Sequence, residues 1–144
     1  MAADRTANTV WEGSLAKGQG TLNLQSSGVG GALPVTWASR TERSNGQTSP
    51  EELIAGAHSS CYSMALSHAL GEAGNPPERL DVTATVTLVP GTGITESKLV
   101  VRATVPGLDQ AGFDSAIEAA NAGCPVSGAL KGNVDVQVDA TLEG

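Results

Sequence analysis

Aromatic side chains are nearly missing from this sequence of 144 residues, which has one Phe, one Tyr and two Trp. A core built around large aromatic anchors is therefore excluded. Charge is also thin, at 16% of residues, which rules out a disordered polyelectrolyte. Basic residues are the scarcer sign: eight Lys and Arg face fifteen Asp and Glu, a net charge of −7. Nucleic acid and anionic membrane surfaces are poor partners for such a chain. Only two cysteines occur, too few for a disulfide scaffold and at no zinc-like spacing, so no metal and no cofactor are expected. Met1 to Thr6 lacks the basic flank and apolar run of a secretory signal, and a cytoplasmic protein is expected.

What is there is a 40% hydrophobic share drawn mostly from Ala, Val and Leu. The length suits a single domain over residues 1–144, with a core made of small pieces. The opening third reads as short strands, Ala7 to Trp11, Gly20 to Leu24 and Pro34 to Ser39, joined by Gly-rich turns. Ser49-Pro50-Glu51-Glu52 then predicts a helix start, with Ser49 as N-cap, Pro50 in the first helical position and Glu52 closing a capping box. From Leu53 to Leu70 there is no charged residue, and Gly71 with Gly74-Asn75-Pro76-Pro77 supplies the stop. His58, His68 and several Ser make this segment too polar to span a membrane, so an all-round buried helix is predicted.

Leu80 to Leu88 alternates apolar with polar residues, and Leu99 to Val105 continues the sheet after a turn at Pro90-Gly91-Thr92-Gly93. Asp109 caps a second helix that ends at Ala122-Gly123, a short turn runs from Val126 to Leu130, and Val134 to Leu142 forms a last strand. The order predicts an α+β protein with helices gathered on an antiparallel sheet.

Cys61 falls mid-helix on the line Ile54, Ala57, Cys61, Met64, His68. It is either an inert core thiol or a redox group. Cys124 precedes Pro125 and so occupies an N-cap position, where unpaired amides favour a thiolate. Physics alone ranks Cys124 as the more acidic thiol, because burial would raise the Cys61 pKa unless a cation stands nearby. His58, three residues before Cys61, suggests a Cys/His hydrolase, but no oxyanion-hole motif accompanies it and packed core is the simpler role. Arg40 and Arg43 are the nearest cations in sequence ahead of the helix. Glu51 stands about 15 Å along the helix from Cys61 and cannot reach that thiol on its own helix, though it could approach the Cys61 of a second, antiparallel copy.

Trp11-Glu12-Gly13, the run from Ser49 to Ser67 with His58-Ser59-Ser60-Cys61-Tyr62-Ser63-Met64 at its centre, and Ala122-Gly123-Cys124-Pro125-Val126-Ser127 resemble the OsmC/Ohr family, in its OsmC branch. The resemblance runs along essentially the whole chain. It implies an intertwined homodimer of the OsmC-like fold, with antiparallel sheets on a long central helix and shared active sites. It implies a thiol-dependent peroxidase for organic hydroperoxides, with Cys61 peroxidatic and Cys124 resolving, reopened by a dithiol reductant that is lipoyl-linked in the Ohr branch. An Arg held by a Glu completes the family pattern: Glu51 matches the Glu, and Arg40 is assigned as the Arg, with Arg43 the open alternative. The Gly-Gly-Arg-Asp-Gly stretch of the Ohr branch is not present. The competing expectation is a non-catalytic dimeric stress protein that binds an apolar ligand.

Overall fold

The computed structural model describes residues 1–144, which form two compact units, Met1–Leu53 and Ile54–Gly144. In the first unit β1 (Asn8–Glu12), β2 (Gln19–Asn23) and β3 (Ala32–Val35) make the antiparallel meander that the Gly-rich turns predict. Gly20 is required on β2: a Cβ there would lie 2.9 Å from Trp11 Cε3 and 2.7 Å from Val35 Cγ2, so the bare backbone is what seats the indole.

The third strand ends earlier than its sequence predicts. Thr36 turns the chain into a short helix, α1 (Trp37–Thr41), through a reciprocal cap in which Thr36 Oγ1 accepts from Ser39 N–H and Ser39 Oγ accepts from Thr36 N–H. Those two hydrogen bonds satisfy amides that a strand would have paired sideways, and they outweigh the apolar alternation. Arg40 therefore sits in the last turn of a helix, not after a strand. The Ser39 hydroxyl also donates to Thr48 O at 3.0 Å, tying α1 to the entry of α2 (Pro50–Glu72). Ser49 Oγ accepts from Glu52 N–H as predicted, but the Glu52 carboxylate takes the Thr48 hydroxyl at 2.7 Å instead of closing the capping box.

In the second unit β4 (Arg79–Val89) and β5 (Gly93–Thr104) form a long antiparallel hairpin, followed by α3 (Gln110–Gly123), α4 (Pro125–Leu130) and β6 (Asp135–Leu142). The wholly antiparallel sheet predicted from sequence needs correction here, because β6 pairs parallel to β5. Two helices separate β5 from β6 and return the chain to its starting end, and a crossover of that length delivers a parallel strand. Strand order is β4-β5-β6.

The stop at the end of α2 is a Schellman motif. Gly74 takes the left-handed conformation (φ 83°), Asn75 N–H reaches Leu70 O at 2.9 Å and Gly74 N–H reaches Gly71 O at 3.0 Å. Within the unit, α2 buries one stripe at four-residue steps, His58, Tyr62, Leu66 and Leu70. That stripe joins Leu99, Val101 and Ala103 of β5 and Phe113, Ala116 and Ala120 of α3. Each fully buried Leu, Val or Phe adds about 1.5–3 kcal/mol, so a core of small residues must recruit many of them. The all-round burial predicted for α2 is not found in the single chain: Ala57, Met64 and His68 are exposed, Met64 by 70%. No helix is long and apolar enough to cross a membrane.

Candidate active site

Within the first unit, α1 aims Arg40 at the first turn of α2. Its guanidinium forks onto Glu51, with Nε 3.0 Å and 3.1 Å from the two carboxylate oxygens and a terminal nitrogen 2.9 Å from Oε2. The Glu51 side chain is 8% exposed and the Arg40 side chain 31%. A carboxylate so covered depends on its partner, and two parallel N–H···O bonds fix the plane of the guanidinium. The Trp37 ring adds a cation–π contact, with Arg40 Cζ 5.9 Å from its centroid. Arg43, the other arginine considered from sequence, is exposed and makes no ion pair. Beside Arg40 lies an apolar pocket of about 590 Å³ whose walls include Trp11, Leu15, Leu22, Val35 and Leu53.

Both cysteines belong to the second unit, and both are free thiols. Cys61 is half-buried on α2, whereas Cys124 is buried and caps α4, its Sγ accepting from Ser127 N–H at 3.5 Å. The two thiols lie near enough for each to shift the other's pKa. Burial pushes the Cys61 thiol up, the Val126 amide opposes this, and Cys124 adds to the rise. Burial acts on Cys124 in the same sense but loses there to hydrogen bonds from the Ser127 side chain and amide, from Cys61 and from the Val126 amide, so its pKa falls below the ordinary thiol value. This is the ranking that the N-cap position predicts.

His58, ranked as core from sequence, is fully buried. Its Nδ1 lies 2.6 Å from Ser97 Oγ and its Nε2 2.8 Å from Ser127 Oγ. Phe113 is buried in the core, whereas Met64 is exposed. Tyr62 donates to Asn121 Oδ1 at 2.6 Å, and burial raises its hydroxyl pKa. Sequence reasoning gave no role to Ser97 or Ser127. The available signal was periodicity: Ser97 occupies the buried face of β5 together with Leu99, Val101 and Ala103, where a hydroxyl needs a partner. No cluster of three or more His, Cys, Asp or Glu could hold a metal ion.

Architecture and side chains together define an α+β protein with a paired-thiol site and a separately built Arg–Glu pair. Residues 43–139 match the family model described as OsmC-like protein, and the chain belongs to that family, as the resemblance of its cysteine motifs implied. It is 43% identical over 137 residues to Peroxiredoxin OsmC of Escherichia coli, covering 93% of this chain and 94% of that one. It is 32% identical over 98 residues to Organic hydroperoxide resistance protein-like 2 of Staphylococcus epidermidis, covering 67% and 69%. The same fold occurs in the crystal structure of the Organic Hydroperoxide Resistance Protein OhrB of Bacillus subtilis, with a TM-score of 0.71, 24% identity and coverage of 94% and 98%. It occurs also in an OsmC organic hydroperoxide resistance protein of Legionella pneumophila, with a TM-score of 0.69, 23% identity and coverage of 97% and 99%.

Proposed function

We propose that this chain is a thiol-dependent peroxidase that reduces organic hydroperoxides, and hydrogen peroxide more weakly, through Cys61 and Cys124. The observation that carries this reading is the juxtaposition of two free thiols, each of which shifts the other's pKa, one half-buried on α2 and the other buried at the cap of α4. The Cys61 thiolate attacks the distal peroxide oxygen; an S–O bond forms, the O–O bond breaks, and the alkoxide leaves with a proton as the alcohol. Cys124 then attacks the sulfur of the sulfenic acid. An S–S bond forms, the S–O bond breaks, and the departing hydroxide takes the remaining proton as water. A dithiol reductant, such as a lipoyl group, returns two electrons and reopens the bridge.

Burial raises the Cys61 pKa, so the thiolate requires a cation. Arg40 is our assignment, with Glu51 holding its guanidinium in plane, and it serves the Cys61 of the other subunit in a homodimer built from two single-domain chains of residues 1–144. The exposed, uncharged face of α2 around Ala57 and Met64 supports such an assembly. We place the protein in the cytoplasm, where a reducing pool keeps both thiols available.

The apolar pocket beside Arg40 supports a second reading, a non-catalytic dimeric protein that binds an apolar ligand. One experiment separates the two. Cys61→Ser should abolish consumption of cumene hydroperoxide, and Cys124→Ser should allow one turnover and then stop. Undiminished activity in Cys61→Ser would sink the peroxidase.

A further inference from the structure

Two side-chain hydrogen bonds join α2 to the α3–α4 segment that carries Cys124. His58 Nε2 lies 2.8 Å from Ser127 Oγ, and the Tyr62 hydroxyl donates to Asn121 Oδ1 at 2.6 Å. On α2 they fall on either side of Cys61, and on the facing segment they fall on either side of Cys124. The mechanism above uses neither. Resting on the reading of Cys124 as the resolving thiol, we propose that Tyr62 is a positioning residue for disulfide closure: its bond to Asn121 holds the last turn of α3, and with it Cys124, in register with Cys61.

The Tyr62 bond reaches each cysteine through a short, stiff length of backbone. Tyr62 follows Cys61 directly within α2, and Asn121 lies in the last turn of α3, where the Ala120 carbonyl accepts from the Cys124 amide at 2.9 Å. Sliding α2 past the end of α3 therefore stretches this bond and draws the two thiols out of line together. Packing alone does not call for the hydroxyl, because a phenyl ring would fill the same space. Tyr62 is wholly enclosed, so its hydroxyl must find an acceptor. Asn121 is exposed and supplies that acceptor from the surface, giving up rotamer freedom to do so. Burial raises the Tyr62 pKa, and the group stays a donor well above neutral pH. The chemistry sets the tolerance. Closure brings two sulfurs from nonbonded contact to about 2.05 Å, and a misplacement of about 1 Å can slow such a step on the order of 100-fold. Formation of the sulfenic acid needs Cys61, the peroxide and a cation, and so lies outside the reach of this bond.

The test uses the reduced, full-length protein mixed with one equivalent of cumene hydroperoxide and quenched at intervals. Mass spectrometry then counts dimedone-trapped sulfenic acid on Cys61 and the Cys61 to Cys124 bridge. Tyr62→Phe keeps the ring, so it should leave sulfenic acid formation unchanged and slow closure about five- to ten-fold, the weight of one hydrogen bond. Asn121→Leu, at an exposed position, should slow closure to the same extent, and it decides the matter if Tyr62→Phe does not fold. The double variant should be no slower than either single one, since both remove the same bond. Closure at the normal rate in the single variants, slowings that multiply in the double variant, or an equal slowing of both phases overturns the proposal. A normal protein that consumes peroxide without ever forming the bridge overturns the resolving role of Cys124 instead, and the proposal falls with it.

Discussion

Arg40 and Glu51 meet in the first unit as a forked ion pair, whereas Cys61 and Cys124 in the second shift one another's pKa amid burial and hydrogen-bond donors. The two regions solve opposite problems. A guanidinium needs only to be aimed, which α1 and the Glu51 fork accomplish. A thiol must be made acidic, and the second unit does this for Cys124 but does the reverse for Cys61. The sulfur that burial leaves too basic is therefore the one for which we propose that Arg40 supplies a cation.

The largest effect that would break this contrast is on the first chemical step. Arg40→Met should lower the rate of Cys61 oxidation by cumene hydroperoxide about 100-fold, the size seen when one preorganised donor to a developing charge is lost. Closure of the bridge, measured by quenched mass spectrometry, should change little. Whether the charge is supplied across subunits is read by mixing. A refolded one-to-one mixture of Cys61→Ser and Arg40→Met should regain about a quarter of normal sites, since half of the dimers are mixed and each has one intact combination. No recovery would place the two regions in service of each other within one chain.

The contrast itself was partly legible before any coordinates. The helix start at Ser49-Pro50, the N-cap role of Cys124 and the pairing of Arg40 with Glu51 follow from local chemistry, or from a motif resemblance, and all three appear in the structure. The helical turn at Trp37–Thr41 was hidden because its cause is a pair of hydroxyl hydrogen bonds that apolar alternation does not register. The parallel β6 depends on where two helices return the chain, and the buried side of α2 on which sheet it meets; neither is a local property. The His58 chain joins residues 39 and 69 positions apart, so only the fold could assemble it.

Titration sharpens the comparison further. The Cys124 pKa lies below the ordinary thiol value of 9.0, so its thiolate is lost through a midpoint below 9.0 as pH falls. The rate of bridge closure should therefore fall with pH through a midpoint below 9.0. Burial moves Cys61 the other way, and without a cation its thiolate forms only above 9.0. Sulfenic acid formation in Arg40→Met should accordingly still be rising with pH at 9.0, whereas the normal protein should level off at lower pH. Superimposable pH profiles for the two proteins would remove Arg40 from the first step.

The smallest effect tests how Arg40 is aimed. Thr36 caps α1 by accepting from Ser39 N–H at 3.1 Å, and it also donates to Gln47 Oε1 at 2.8 Å. Thr36→Ala removes both bonds and should cost about 1 kcal/mol in urea unfolding, the usual loss for an N-cap. The Arg40 side chain keeps its Glu51 partner, but the turn that presents it frays. Cys61 oxidation should then slow by two- to three-fold, on the order of what a partly lost orientation costs, while bridge closure is unchanged. An equal slowing of both steps would mean that the first unit steadies the thiols as well as charging them, and the division of labour between the two regions would have to be withdrawn.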